Sequence, residues 1–261
     1  MKRICVYGKG GIGKSTAVSN LAAAMAQAGK RVAVVGCDPK ADSTRGLMGR
    51  RIPTVLDQLK TGASGEIAFT DSRGVRCIEA GGPEPGTGCA GRGIIVAMEE
   101  IRSRGLLDDR DVVLYDVLGD GFSMPLREQV ADEVYLVTTS DFMALYAANN
   151  ICRGIRKYAQ SGRIRLAGII HNGRSSVDND GLLQAFATEL GTTVAGKIPM
   201  SPLIGQAELE RQTVVDSAPD SAPAQAFRAL ASVLLDNRGG CIPEPMSDDG
   251  LEALCRKAAP L

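Results

Sequence analysis

A chain of 261 residues can bury one sizeable core, and thirty Lys and Arg against thirty Asp and Glu leave it without formal net charge. That balance excludes a surface built as a whole for nucleic acid or an anionic membrane, and no run approaches the roughly eighteen uninterrupted apolar residues of a membrane span. Seven cysteines, an odd number with no CxxC pair, exclude a secreted disulfide framework and a self-contained zinc site.

The chain runs from Met1-Lys2-Arg3 into a short apolar strand, "RICVYG", without the long apolar core of a secretory signal. A soluble, cytoplasmic protein with no nucleic-acid and no membrane partner is expected. A glycine loop and a helix from about Lys14 follow, then "RVAVVG" and a loop. The further strands are "DVVLYD", "EVYLVTT" with a helix through "ALYAANNICRGIRKYA", and "RLAGIIHN". Short β-branched runs alternating with alanine-rich helices predict an α/β fold, a mostly parallel β-sheet with helices on both faces, and the motif "GKGGIGKST" after the first strand makes it one of phosphate-loop NTPase type. Such sheets bind ligands at the carboxyl ends of their strands, where the glycine loops and aspartates fall. Residues 81–93, "GGPEPGTGCAGRG", read as a functional loop. One domain is expected over residues 1–236, with a loosely attached C-terminal extension over residues 237–261.

"GKGGIGKST", Gly8 to Thr16, stands between an apolar strand and a helix, the context a G-x-x-x-x-G-K-[ST] match needs. The backbone N–H groups of Gly8, Gly10, Gly11, Ile12, Gly13 and Thr16 would turn toward a phosphate chain, helped by the positive helix end. Lys14 would neutralise the β- and γ-phosphates, and Ser15 would hold magnesium. A plain structural turn has no use for the second ammonium group, on Lys9. Each charge about 4 Å from a phosphate is worth up to roughly 4 kcal/mol at an effective dielectric of 20.

The extra lysine resembles the deviant phosphate loop of a class of dimeric ATPases. That class includes chromosome-partition and division-site ATPases, arsenite-pump ATPases and the nitrogenase iron protein. The resemblance implies a homodimer in which Lys9 reaches the partner's nucleotide. Four further stretches narrow it. "VGCDPKADSTR" is similar to switch I of the nitrogenase iron protein family, "CIEAGGPEPGTGCAGRG" to its cluster loop and "YDVLGD" to its switch II, and "MALYAANNICRGIRKYA" completes the set. The resemblance covers Lys2 to about Leu235. The same family includes the electron donors of protochlorophyllide, chlorophyllide, nickel-tetrapyrrole and methylthio-alkane reductases.

Carried over residue by residue, the resemblance places Asp38, Lys40 and Asp42 beside the phosphates and magnesium. Asp116 joins the magnesium shell, and Asp120 orients or deprotonates the attacking water. Asn172, Pro199 and Glu208 match positions near the adenine, and Arg92 a position used in docking or modification. It implies Mg-ATP as substrate, a larger partner reductase of nitrogenase-like type, and a [4Fe–4S] cluster on the dimer axis with Cys89 as one ligand. For Asn172 and Glu208, solvated polar groups compete as a reading, as does a solvated loop arginine for Arg92.

The family pattern D-V-L-G-D-V-V-C-G-G-F reads "DVLGDGF" here, so about four residues are absent, including the second cluster cysteine. Clusters of this kind are ordinarily held by four cysteine thiolates, and two copies of Cys89 supply half. Cys77 and Cys152 read as small buried hydrophobes, and Cys241 and Cys255 are poor candidates. Two functions stay open: an ATP-dependent reductase component delivering low-potential electrons, and a cluster-free, nucleotide-dependent dimeric switch or docking protein.

Overall fold

The computed structural model of the chain describes residues 1–61, 65–82, 90–117, 119, 126, 128, 130–174 and 178–258. Eight strands form one sheet: β1 (Lys2–Tyr7), β2 (Val32–Gly36), β3 (Phe69–Thr70), β4 (Arg76–Glu79), β5 (Val112–Asp116), β6 (Glu133–Thr138), β7 (Arg165–Asn172) and β8 (Val194–Ile198). Their order is β3-β4-β2-β5-β1-β6-β7-β8, and every pairing is parallel except β3 with β4. The expected α/β sheet is therefore present.

Apolar residues run without interruption along the central strands because both faces are covered. In β1, Ile4 and Val6 enter one core layer while Cys5 and Tyr7 enter the other. The Ile4 layer is closed by α1 (Lys14–Gln27), α2 (Arg45–Met48), α7 (Pro202–Leu209), α8 (Val214–Ser217) and α9 (Ala222–Asp236). The opposite layer is closed by α3 (Val55–Lys60), α4 (Ala90–Ser103), α5 (Phe142–Ala159), α6 (Asp180–Glu189) and α10 (Asp248–Ala258).

Two boundaries differ from the sequence reading. The stretch 81–93, read wholly as a loop, becomes helical at Ala90. Ile94, Ala97, Met98 and Ile101 recur at helical spacing and are all buried, so the helix extends back through "AGRG" from an amphipathic body. The strands β4, "RCIE", and β8, "VAGKI", carry charges and lack a long apolar run; their partners hold them in place.

The C-terminal segment is bound along the sheet and not loosely attached. Leu166 and Cys241 exchange two backbone hydrogen bonds of 2.9 Å. Buried Asn149 donates to Met246 O and accepts from Met246 N, both at 2.9 Å. Leu251 is fully buried. Among the described residues no helix is long and apolar enough to cross a membrane.

Candidate functional site

The carboxyl ends of β1, β2 and β5 meet at one cleft. Strand β1 ends in Gly8, where a Cβ would collide with the Val137 carbonyl of β6, so only glycine lets the chain turn there. Gly11 and Gly13 have left-handed φ values of 71° and 98°. Asn172, at the end of β7, donates from Nδ2 to Ile12 O at 2.7 Å, and a Cβ on Gly13 would stand 2.5 Å from that nitrogen. Arg174 donates to Gly11 O at 2.7 Å, and Ile12 N to Lys9 O at 3.2 Å. The side-chain bonds from Asn172 and Arg174 engage loop carbonyls, while the Ile12 N–H is itself spent on Lys9 O and is not turned toward a phosphate.

Helix α1 begins at Lys14 with no side-chain cap and no acidic residue in its first turn. Its first N–H groups have no side-chain partner there, and an anion in the cleft would satisfy them. Lys14 is 8% exposed and donates from Nζ to Lys9 O at 3.2 Å. It lines the cleft with Gly10, Gly11, Gly13, Ser15, Thr16, Asp38, Lys40, Asp42, Asp116 and Glu208.

Asp116 is buried at the last position of β5, paired in register with Val6 of β1 and Gly36 of β2. Among the described residues neither carboxylate oxygen has a hydrogen-bond partner. Burial pushes its pKa up, and the hydroxyls of Ser15 and Ser43 and the Lys14 ammonium pull it down, though neither hydroxyl reaches hydrogen-bonding geometry. An unpartnered buried carboxylate costs free energy unless something compensates it. Facing a lysine-bearing loop with Asp38, Asp42 and Ser15, it suits a divalent cation carrying phosphates.

The cleft continues into a recess lined by Asn172, Pro199, Met200, Ile204 and Glu208, where the Thr16 hydroxyl donates to the Glu208 carboxylate. The structure thus brings Gly10, Gly11, Gly13, Lys14, Ser15, Thr16, Asp38, Lys40, Asp42 and Asp116 to the cleft and Asn172, Pro199 and Glu208 to the adjoining recess, while Gly8 and Ile12 line neither. Lys9 stands apart. It lines a neighbouring hollow with Thr139, Asp141, Asn179 and Cys255, across the loop from Lys14. Ile12 lines that hollow too, while Gly10 and Gly11 border both spaces.

Among the cleft residues that the sequence reading missed are Arg45, Arg174 and Gln212. The arginines close "ADSTR" and "HNGR", so their signal was adjacency to residues already singled out; Gln212 has none. Asp120 and Cys89 lie outside the described residues. Arg92 is exposed on α4.

Cys5, Cys37, Cys77 and Cys152 are fully buried, and burial pushes each thiol pKa up, which suits inert packing. Cys77 and Cys152 are the small buried hydrophobes expected. Cys241 and Cys255 are half-buried. Among the described residues no group of three or more His, Cys, Asp or Glu is placed to hold a metal ion, so these residues alone fit neither an iron–sulfur cluster nor a magnesium ion that is not also held by phosphate oxygens.

A family model described as "4Fe-4S iron sulfur cluster binding proteins, NifH/frxC family" matches residues 2–259. The chain belongs to the NifH/frxC family. A nitrogenase iron protein of Methanococcus voltae is 51% identical, the match covering 97% of this chain and 95% of that protein. Nitrogenase iron protein 2 of Methanothermobacter thermautotrophicus is also 51% identical, covering 98% of each. Among solved structures, septum site-determining protein MinD of Pyrococcus horikoshii, complexed with Mg-ADP, aligns with a TM-score of 0.71. It is 24% identical, over 88% of this chain and 94% of that one. MinD of Aquifex aeolicus gives a TM-score of 0.70 at 20% identity, over 92% and 100%. These likenesses show that the NifH/frxC chain shares the MinD fold.

Proposed function

We propose that the chain is the ATP-hydrolysing component of a two-component reductase of nitrogenase-iron-protein type. The observation that carries this is the cradle at the carboxyl end of β1: an uncapped helix end, glycines that tolerate no Cβ, buried Lys14 and an unpartnered Asp116. It stands in a chain half identical, over nearly its whole length, to nitrogenase iron proteins.

On this reading the loop N–H groups other than that of Ile12, with Lys14, bind the β- and γ-phosphates. Ser15, Asp42 and Asp116 hold magnesium, which when bound draws charge from the phosphates. Asn172, Pro199 and Glu208 flank the adenine. Asp38 and Lys40 line the γ-phosphate side, and Asp120 orients or deprotonates the attacking water, a contribution of general acid–base type. Lys9 serves a second subunit on this reading, so that two chains form the active unit; its lining of the neighbouring hollow, apart from Lys14, supports this. The larger partner reductase docks on this homodimer.

A second reading rests on one sequence observation: "DVLGDGF" has no cysteine between Asp116 and Phe122. A cluster-free ATPase switch would keep the nucleotide chemistry and the docking without electron transfer. Measuring Mg-ATP hydrolysis by the purified chain tests the shared part. No binding and no hydrolysis at millimolar nucleotide would sink both readings. Pull-down from the source cell with a non-hydrolysable ATP analogue tests the partner reductase, and iron content after anaerobic purification separates the two.

A further inference from the structure

Glu79 closes β4 with no solvent exposure, two positions before the glycine-rich stretch 81–93. Its Oε1 accepts two hydrogen bonds of 2.7 Å from one residue, the backbone N–H and the hydroxyl of Thr44. Thr44 is itself buried and follows the aspartate pair Asp38 and Asp42 of the cleft. The other oxygen, Oε2, lies against Gly36, where any Cβ would collide with it, and that Cβ would also stand 2.8 Å from Ser43 Cβ. The backbone beside this carboxylate is tied down too, since Ala80 N donates to Gly36 O at 2.8 Å.

A second contact runs in parallel. A Cβ on Gly82 would collide with the side chain of Pro39, the residue after Asp38, so the glycine is bare because residue 39 is seated on it. The segment 38–45 therefore holds the chain on both sides of residues 80–81, through Thr44 on Glu79 at the end of β4 and Pro39 on Gly82 at the start of the glycine-rich stretch. Neither link passes through β5 or through residues 116–122, where the chain is short. A buried carboxylate with a two-pronged acceptor bond is costly to leave half satisfied. A shift of Thr44 must therefore drag Glu79 or break both bonds.

We propose that Glu79 is a positioning residue that couples segment 38–45 to the start of the glycine-rich stretch, so that nucleotide occupancy of the cleft is felt at residues 80–82. This rests on the reading of the cleft as a nucleotide site. It supplies a route from nucleotide to the stretch carrying Cys89 that does not need switch II.

Hydrogen exchange on the full-length protein tests it, with and without a non-hydrolysable Mg-ATP analogue, followed in peptides covering residues 38–46 and 80–82. In the unaltered chain the analogue should slow exchange in both by about fivefold or more. Glu79→Ala should keep the response at 38–46 and lose it at 80–82, and Glu79→Gln, which retains an acceptor for Thr44, should restore it. A merely structural role would lower protection everywhere without uncoupling the two peptides. If Glu79→Ala does not fold, Thr44→Val removes one prong from the other side and should reduce the response at 80–82 at least twofold. A response at 80–82 that survives both substitutions overturns the proposal. So does a response at 38–46 alone in the unaltered chain. No response in either peptide overturns the nucleotide reading itself, and the coupling with it.

Discussion

The carboxyl ends of β1 and β5 are neighbours, with Val6 paired to Asp116, yet they keep different shares of the family pattern. The β1 end is complete, from Gly8 through both lysines to Ser15. The β5 end keeps Asp116 and then loses about four residues before Phe122. On the proposed reading, what the described cleft takes from β5 precedes the place where the family pattern would carry about four more residues, so the nucleotide part is kept and the path toward a dimer axis is shortened. About four residues are worth roughly 13 Å of maximum reach. Nucleotide chemistry and cluster binding are thus written in separable pieces of one strand-loop unit.

The sharpest break between the two ends is all-or-none. A two-fold dimer offering one Cys89 per subunit leaves half of a cubane's thiolate sites unfilled. Protein purified without oxygen should contain substoichiometric iron or none, and should lack the EPR signal of a low-potential reduced cluster. Inserting Val-Val-Cys-Gly between Asp120 and Gly121 should recover both. A full cubane per dimer in the unaltered chain, retained through gel filtration and abolished by Cys89→Ser, would show that another ligand completes the site.

Next in size is the chemistry at the shortened end. Asp120→Asn should leave nucleotide affinity near its original value and slow hydrolysis roughly 10² to 10⁴-fold, because a water-orienting base acts mainly in the transition state. Equilibrium binding set beside steady-state kcat reads the split. Weakened binding with unchanged turnover would move Asp120 to a structural or metal-ligand role and would mean that the shortening reached the nucleotide chemistry after all.

How legible these two ends were follows from how each encodes its role. The β1 end needs glycines, lysines and a hydroxyl at fixed spacing, and fixed spacing survives in one dimension. The strands β1, β2 and β5 to β7 were equally plain, since burial on both faces demands unbroken apolar runs. The strands β4 and β8 were not, because Arg76, Glu79 and Lys197 interrupt short segments whose pairing is decided by neighbours. Glu79 itself was invisible: a glutamate ending a four-residue strand gains its meaning only when Thr44 and Gly36 close over it. Arg174 likewise needed β7 to carry it to the Gly11 carbonyl.

The intact end makes its own claim about assembly. Lys9 shares a loop with Lys14 but lines the other hollow, so its charge should count in a neighbouring subunit. Lys9→Ala should slow hydrolysis on the order of 10²-fold, consistent with losing a few kcal/mol of charge interaction near a phosphate. Mixed dimers of Lys9→Ala with a chain inactivated at Lys14 decide the geometry. In such a dimer the only working cleft lies in the chain that keeps Lys14 but has lost Lys9, and it faces a partner whose Lys9 is intact. Hydrolysis retained in that cleft supports action across the dimer. Hydrolysis lost there would place Lys9 on its own subunit's nucleotide.

The last effect concerns the buried carboxylate Glu79 on β4, two strands out from β5, and its sign can be worked out. Burial is the largest influence on Glu79 and pushes its pKa from 4.5 to about 7, against the two Thr44 hydrogen bonds, with Asp116 and Asp42 adding to the rise. Because the folded value lies above the unfolded one, the folded state holds this proton more tightly. The stability it lends is fully present below about pH 4.5 and is lost as the pH climbs through about 7. A shift of that size corresponds to roughly 3 kcal/mol. Glu79→Gln carries no titrating group, so relative to the unaltered chain it should gain up to about that much stability between pH 5 and pH 8. Urea unfolding of nucleotide-free protein, with a chelator present, measures the gain. A stability difference that stays flat across this range would mean that Glu79 is ionised in the fold throughout. Its second oxygen would then need a donor that Gly36 and Ser43 do not provide.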